Sequence, residues 1–325
     1  MDPIATIEVF PLSIPRDVPY LGPLGKGNSA NNKGYFVRPG NQSIYATSDM
    51  SLLVKVTSEK GLVGWGEGWA IVAPEVAQAI LNELINPLVI GRDPQDVVAI
   101  AEDLYNGMRV RGFVGGFYLD ALAALDIALW DLKAKQVGLP LSKLLGAQRT
   151  TRIPAYVSGL PKSTLAERVE LAKTWVSKGF NALKFAAAVC EQGEVAEIRE
   201  LRNALGPDVK IGADLHWRYT SQEAIKLISQ MEAYDLFFAE APCNSEDLEG
   251  LAEVSRSVKT PVAAGEELRT TYEFRPRFTN RCMSIIQPEI AHMGVTNMWM
   301  VCQMAQAFHC RVIPHASIGI GIFQA

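Results

Sequence analysis

Asp214, Glu240 and Glu266 stand 26 residues apart in each step, and each closes a short apolar run of the chain. A charged residue at the end of a buried strand costs free energy unless it is paired or bound to a metal. Taken singly, an acid in such a place most often caps the helix that follows or pairs with Arg or Lys. Three acids at equal spacing, one per strand–helix unit, fall side by side at one end of a sheet. There they repel one another unless a cation lies between them. An all-oxygen donor set suits Mg²⁺ or Mn²⁺, whereas zinc more often recruits His or Cys. Glu267 adjoins Glu266, but the run Val262-Ala263-Ala264-Gly265-Glu266 points to Glu266 as the ligand. Reading the other run ends adds Lys184, His216, Glu289 and His315.

The elements that must position these groups are short apolar runs at 153–157, 182–187, 210–214, 236–240, 262–265, 283–287 and 311–313. Amphipathic segments at 165–178, 195–205, 222–231 and 248–258 lie between them. Repeated strand–helix units of this length predict a parallel sheet, and seven in a row favour a (β/α) barrel over an open doubly wound sheet. No GxGxxG follows the first strand, which disfavours a dinucleotide fold. In such barrels the chemistry sits at the C-terminal ends of the strands, where these side chains lie.

The first 150 residues read differently, as an α+β domain preceding a barrel domain at 151–325. Residues 4–10 and 51–56 alternate like strands, and Glu59-Lys60-Gly61 turns the second into a third at 62–67. Residues 15–45 are rich in Pro, Gly and Asn and predict a long mobile loop. A helix is expected over 118–135, ended by Gly138-Leu139-Pro140.

Composition narrows the function classes. The 325 residues are 48% hydrophobic and carry a net charge of −4, so nothing basic suggests nucleic acid or a membrane surface. No apolar stretch is long enough to span a bilayer, and Met1-Asp2-Pro3-Ile4 does not open a signal peptide. Five cysteines without close pairs read as buried thiols in a reducing cytoplasm.

Several motifs together carry a family resemblance. Gly212-Ala213-Asp214, Phe238-Ala239-Glu240-Ala241-Pro242, Ala263-Ala264-Gly265-Glu266 and Ile286-Gln287-Pro288-Glu289 resemble the enolase superfamily, mandelate racemase subgroup. Val63-Gly64-Trp65-Gly66-Glu67 and 124–131 look like that family's capping-domain signatures, and Asp214-Leu215-His216 resembles the Asp-x-His of galactonate-dehydratase-like acid sugar dehydratases. The resemblance implies an N-terminal α+β capping domain, a modified (β/α)7β barrel of the TIM type, one Mg²⁺ and a homo-oligomer. It also implies proton abstraction next to a substrate carboxylate, by the Lys or His base that this superfamily uses with one or two Mg²⁺.

Three departures qualify it. The second-strand motif, usually Lys-x-Lys, reads Lys184-Phe185-Ala186. Glu289 stands where an Asp usually partners the catalytic His. The family continues for several tens of residues after the point that Ala325 reaches, through an eighth strand and a returning capping segment. A longer parent chain is therefore expected, since an open barrel edge invites aggregation.

Within this frame His315 is the expected base and Glu289 the group that orients it. His216 is the expected acid for a leaving hydroxyl, pointing into the cavity by strand alternation. Lys184, on the opposite side, is the alternative acid. Trp217 and Arg218 are candidate lining residues, while His292 and His309 read as ordinary. Tyr20, Asn28, Lys33, Tyr35 and Arg38 are candidates for the specificity loop, with Arg38 able to pair with the far carboxylate of a diacid or simply to be solvated. The expected reaction is dehydration of an aldonate or aldarate to a 2-keto-3-deoxy acid. An epimerase, a racemase, a lactone cycloisomerase or a silent ligand-binding relative are the alternatives.

Overall fold

The structure is a computed structural model that describes residues 2–24, 27–38, 41–316 and 319–323. The chain opens with β1 (Ile4–Pro15), a small antiparallel hairpin of β2 (Tyr35–Arg38) and β3 (Ser43–Ala46), then β4 (Ser48–Ser58) and β5 (Val63–Gly68). Strands β1, β4 and β5 form an antiparallel sheet in the order β1-β4-β5. Helix α1 (Pro74–Ile80) runs through one π turn into α2 (Asn86–Val89), followed by α3 (Val97–Arg109), α4 (Gly116–Val137) and α5 (Leu141–Leu144).

The sheet rests on α4 at unusually close range, and glycine makes that possible. A Cβ on Gly64 would lie 2.2 Å from the Ala128 carbonyl oxygen, and one on Gly66 2.0 Å from that of Ala124. Strand alternation then sends Trp65 and Glu67 to the opposite face. The apolar run of α4 is buried nearly all round, because this helix also packs against the barrel.

The second half is a seven-stranded parallel sheet in sequence order: β6 (Val157–Ser158), β7 (Ala182–Ala186), β8 (Lys210–Asp214), β9 (Leu236–Glu240), β10 (Val262–Ala264), β11 (Ile285–Ile286) and β12 (Arg311–Val312). The intervening helices are α6 (Leu165–Ser177), α7 (Glu194–Leu205), α8 (Ser221–Met231), α9 (Leu248–Ser257), α10 (Thr271–Thr279) and α11 (Ile290–Ala307). Three of them begin with the same reciprocal cap: Thr164 with Glu167, Thr220 with Glu223 and Thr270 with Glu273. The sheet curls into a half-barrel, with β6 and β12 as its edges among the described residues. No described helix is long and apolar enough to cross a membrane.

Residues 147–156 carry no helix or strand and join the two halves. Packing crosses that division, since Ala291, Val295 and Phe323 belong to the same core as β4 and α4. Helix α11 breaks at Gly294, whose φ is +65°, and a Cβ there would meet the Asp126 carboxyl at 2.5 Å. Asp126 in α4 accepts from the Thr296 hydroxyl at 2.5 Å and the Thr296 amide at 3.0 Å. Trp130 Nε1 donates to the same hydroxyl at 2.9 Å.

The segment expected as a loop over 15–45 holds the β2–β3 hairpin. Arg38 is buried, and its Nη2 donates to the Tyr20 carbonyl at 2.6 Å and the Gly22 carbonyl at 3.1 Å. Its guanidinium also lies 5.4 Å from the Phe36 ring centroid and 5.8 Å from that of Tyr45. It is therefore not the solvated loop arginine that the sequence also allowed. It binds the hairpin to the preceding turn.

Candidate active site

A cavity of about 150 Å³ opens at the C-terminal ends of the barrel strands, beneath the hairpin. Lys184, Asp214, His216, Glu266 and His315 line it, together with Trp69 from the end of β5 and Tyr20 and Tyr45 from the loop region. Another cleft, between α3, α10 and α11, has Glu102 as its single charged side chain and no set of converging acids and bases. The barrel mouth is therefore the place for chemistry.

On one wall, Lys184 lies in the middle of β7, not at its end. Its Nζ contacts Glu240 directly and stands 3.5 Å from Asp214. Burial alone would lower the lysine pKa, but Glu240 and Asp214 outweigh it and carry it well above the ordinary value. Burial likewise pushes the Glu240 carboxyl up, and the Lys184 charge with a hydrogen bond from Glu266 brings it down to about 2. Gln287 Nε2 donates to the second Glu240 oxygen at 2.5 Å. Lys184 thus sits within the carboxylate cluster, in contact with Glu240 and beside Asp214. Three acids in a dry site need a positive charge, and this ammonium supplies one.

On the other wall, His315 Nδ1 lies 2.8 Å from Glu289 Oε2, and its Nε2 lies 3.5 Å from Glu266 Oε2. Burial lowers the imidazole pKa, yet Glu266 and Glu289 together raise it to about 9. Glu289 is fully buried at the N-cap of α11, where it also accepts from the Ala291 amide at 3.1 Å. A backbone bridge pairs Glu289 with His315 beyond the ends of β11 and β12.

Glu266 is the least satisfied acid of the set. Burial and the neighbouring acids hold its carboxyl well above the usual range, and Oε2 is buried without a hydrogen-bond partner. Among the described residues no three His, Cys, Asp or Glu already stand in ready-made metal-ligand geometry. The donor chemistry nonetheless fits a hard divalent cation: Asp214, Glu240 and Glu266 offer oxygen only, and one buried oxygen accepts no hydrogen bond.

His216 reaches the cavity by a device that strand alternation does not describe. β8 stops at Asp214, and His216 and Trp217 take φ of +51° and +52°, a left-handed turn rare for such residues. The turn is paid for by hydrogen bonds from the His216 amide to Asp214 Oδ1 at 3.1 Å and from the Trp217 amide to the Ala241 carbonyl at 2.7 Å. Trp217 lines the cavity, as anticipated, whereas Arg218 turns away to the Ala187 carbonyl and Glu194.

Two families of sequence signal match this chain. The mandelate racemase / muconate lactonizing enzyme N-terminal domain covers residues 33–146, and the enolase C-terminal domain-like model covers residues 167–325. D-galactonate dehydratase from Pectobacterium atrosepticum is 30% identical over 280 residues, which are 82% of this chain and 72% of that protein. The chain belongs to the mandelate racemase/muconate lactonizing enzyme family of the enolase superfamily. Among solved structures, a Sinorhizobium meliloti protein provisionally described as an isomerase is 50% identical, with TM-score 0.98 over 99% of this chain and 84% of that one. The 3,6-anhydro-D-galactonate cycloisomerase from Zobellia galactanivorans is 26% identical, with TM-score 0.84 over 99% of this chain and 82% of that one.

Some lining residues of this family member escaped sequence reasoning. Trp69 carries no strand-end signal, because it follows the last residue of a capping strand. His292, read as ordinary, does not itself line the cavity; it is buried in the first turn of α11 with its Nδ1 2.6 Å from Asp120 and its ring 4.3 Å from that of Trp69. Burial lowers its pKa despite the adjacent Asp120. His309 lies outside the cavity lining. So do Asn28, Lys33 and Tyr35; the Tyr35 hydroxyl accepts instead from the Ala73 amide at 3.0 Å.

Proposed function

We propose that the protein is a Mg²⁺-dependent hydro-lyase that dehydrates an aldonate or aldarate to a 2-keto-3-deoxy acid. The observation that carries this reading is the His315–Glu289 pair at 2.8 Å, opening on the same cavity as Asp214, Glu266 and His216. The dehydratase relatives and the Asp214-x-His216 motif support the direction of the chemistry.

A divalent cation held by Asp214, Glu240 and Glu266 would supply positive charge for the substrate carboxylate as the adjacent carbon becomes more acidic. His315 takes the α-proton through Nε2, since Nδ1 is committed to Glu289. The imidazole acts as a base once neutral, and the two carboxyls that raise its pKa are Glu266 and Glu289. His216 gives a proton to the departing 3-hydroxyl, so the products are water and an enol that becomes the 2-keto acid. Lys184 is the other candidate for that proton. Its contacts with Glu240 and Asp214 also suit it to hold the substrate carboxylate once those acids are engaged elsewhere. Tyr20, Tyr45, Trp69 and Trp217 form the walls that exclude water.

A second reading, isomerisation or lactone cycloisomerisation, is favoured by the solved relatives named above. It shares the His315 step and diverges at the group that returns the proton. Incubation with a panel of aldonic and aldaric acids and Mg²⁺, with semicarbazide detection of 2-keto acids, separates the two. Dehydration predicts a semicarbazone from at least one acid. Protein that binds Mg²⁺ yet yields none sinks the dehydratase reading, and solvent deuterium entering a substrate or its isomer without water loss establishes the second.

A further inference from the structure

Glu67 is an acid that neither reading uses, and it is completely buried at the end of β5. Its Oε1 accepts from the Ser51 hydroxyl at 2.6 Å and the Ile320 amide at 2.7 Å. Its Oε2 faces the amides of Gly321, Ile322 and Phe323 at 3.2, 2.9 and 3.4 Å. Four successive main-chain N–H groups thus converge on one carboxylate, a concave arrangement suited to an anion. The fit is tight: a Cβ on Gly319 would lie 2.7 Å from Glu67 Oε1, and Phe323 plugs into the capping core.

The turn at 320–323 lies just downstream of His315, while Glu67 belongs to the capping sheet. The same strand end is braced against the dyad's other half. The Trp69 amide donates to the Ala291 carbonyl at 3.1 Å, two residues past Glu289, and the Trp69 ring lies 6.3 Å from that of His315. On its upstream side the barrel fastens His315 through the Ile313 amide to the Ile286 carbonyl and the His315 amide to the Pro288 carbonyl.

We propose that Glu67 is a positioning residue that clamps the chain downstream of His315 to the capping sheet and so holds the imidazole against Glu289. The clamp rests on reading His315 as the base, and its structural part can be tested apart from that reading. Hydrogen exchange of the Glu67→Gln protein should show at least roughly tenfold faster exchange at Ile320–Phe323, the scale of a lost charge-assisted hydrogen bond, spreading to Ile313 and His315. The amides of β8 to β10 should exchange as before. With a turned-over substrate, kcat should fall about tenfold while KM moves less than about twofold, because the substrate-binding groups are untouched. Ser51→Ala removes one donor and leaves the carboxylate, so it should shift both readouts the same way by a smaller factor, even if Glu67→Gln folds poorly. Unchanged exchange at Ile313 and His315 in the folded variants overturns the clamp whether or not a substrate is known. Faster exchange there with unchanged kcat overturns the positioning role.

Discussion

Two regions of this molecule bury acids, and they treat them in opposite ways. In the seam between α4 and α11, Asp126 receives the Thr296 hydroxyl and amide, and Asp120 receives Arg269 Nε at 2.8 Å and His292 at 2.6 Å. Each of these acids has partners close at hand, and the seam joins the two halves of the chain. At the barrel mouth, Asp214 and Glu240 crowd around one lysine, and the neighbouring Glu266 keeps an oxygen that accepts no hydrogen bond. Buried polar groups in folded proteins are nearly always satisfied, so an exception marks either strain or a site built for something else. The seam is a structural use of buried acids. The mouth is what remains when acids must wait for a ligand, and it is where pKa values are pulled furthest apart.

The largest effect should come from the mouth. His315→Asn keeps a polar side chain beside Glu289 but removes the base. Exchange of the substrate α-proton, followed by NMR in deuterated water, should fall by about 10²–10⁴-fold, the usual contribution of a positioned general base. Mg²⁺ affinity should stay close to that of the parent protein. Retained exchange would move the base to Lys184.

A smaller effect separates the two regions directly. Lys184→Met removes the ammonium between Asp214 and Glu240 and leaves those acids buried without it. Breaking a buried pair in this way costs about 3–5 kcal/mol. Because Mg²⁺ would bind the folded state alone, millimolar Mg²⁺ should restore much of the lost stability, and thermal melts with and without the ion would show it. A variant as unstable with Mg²⁺ as without it would mean that the three acids do not form the metal site.

The sequence disclosed the mouth more fully than the seam, for a physical reason. β8 (Lys210–Asp214) and β9 (Leu236–Glu240) begin and end where the apolar runs do, because each run is buried on both faces and stops at a charge. Asp214, Glu240 and Glu266 were therefore visible from spacing alone. The short strands were less legible: the run at 283–287 narrows to β11 (Ile285–Ile286), since the chain must bend to bring Glu289 to His315. The turn that aims His216 was hidden, because nothing in Leu215-His216-Trp217 announces two left-handed residues. The contact between Lys184 and Glu240 was hidden too, because a one-dimensional pattern cannot say which carboxylate an ammonium will meet. The seam was missed altogether. Asp120, Asp126 and His292 owe their roles to partners at least 149 residues away in the chain, and a periodicity of three or four carries no trace of them.

The seam offers the smallest prediction and the most direct check on the contrast. Burial raises the Asp126 carboxyl from 3.8 to about 6, against the lowering pull of the Thr296 hydrogen bonds. The folded chain therefore holds a proton between about pH 4 and pH 6 that the unfolded chain gives up. Its contribution to stability is complete below pH 4 and declines as the pH rises through 6, by at most about 3 kcal/mol for a shift of this size. Asp126→Asn removes this titration while keeping one of the two oxygens that Thr296 uses. Urea unfolding at several pH values should show the parent losing stability relative to the variant as the pH climbs from 4 to 6, with no dependence on Mg²⁺. A parallel pH profile for the two proteins would show that Asp126 is not strained by its burial. A Mg²⁺-dependent difference would break the division between the two regions, because it would tie an acid of the seam to the chemistry of the mouth.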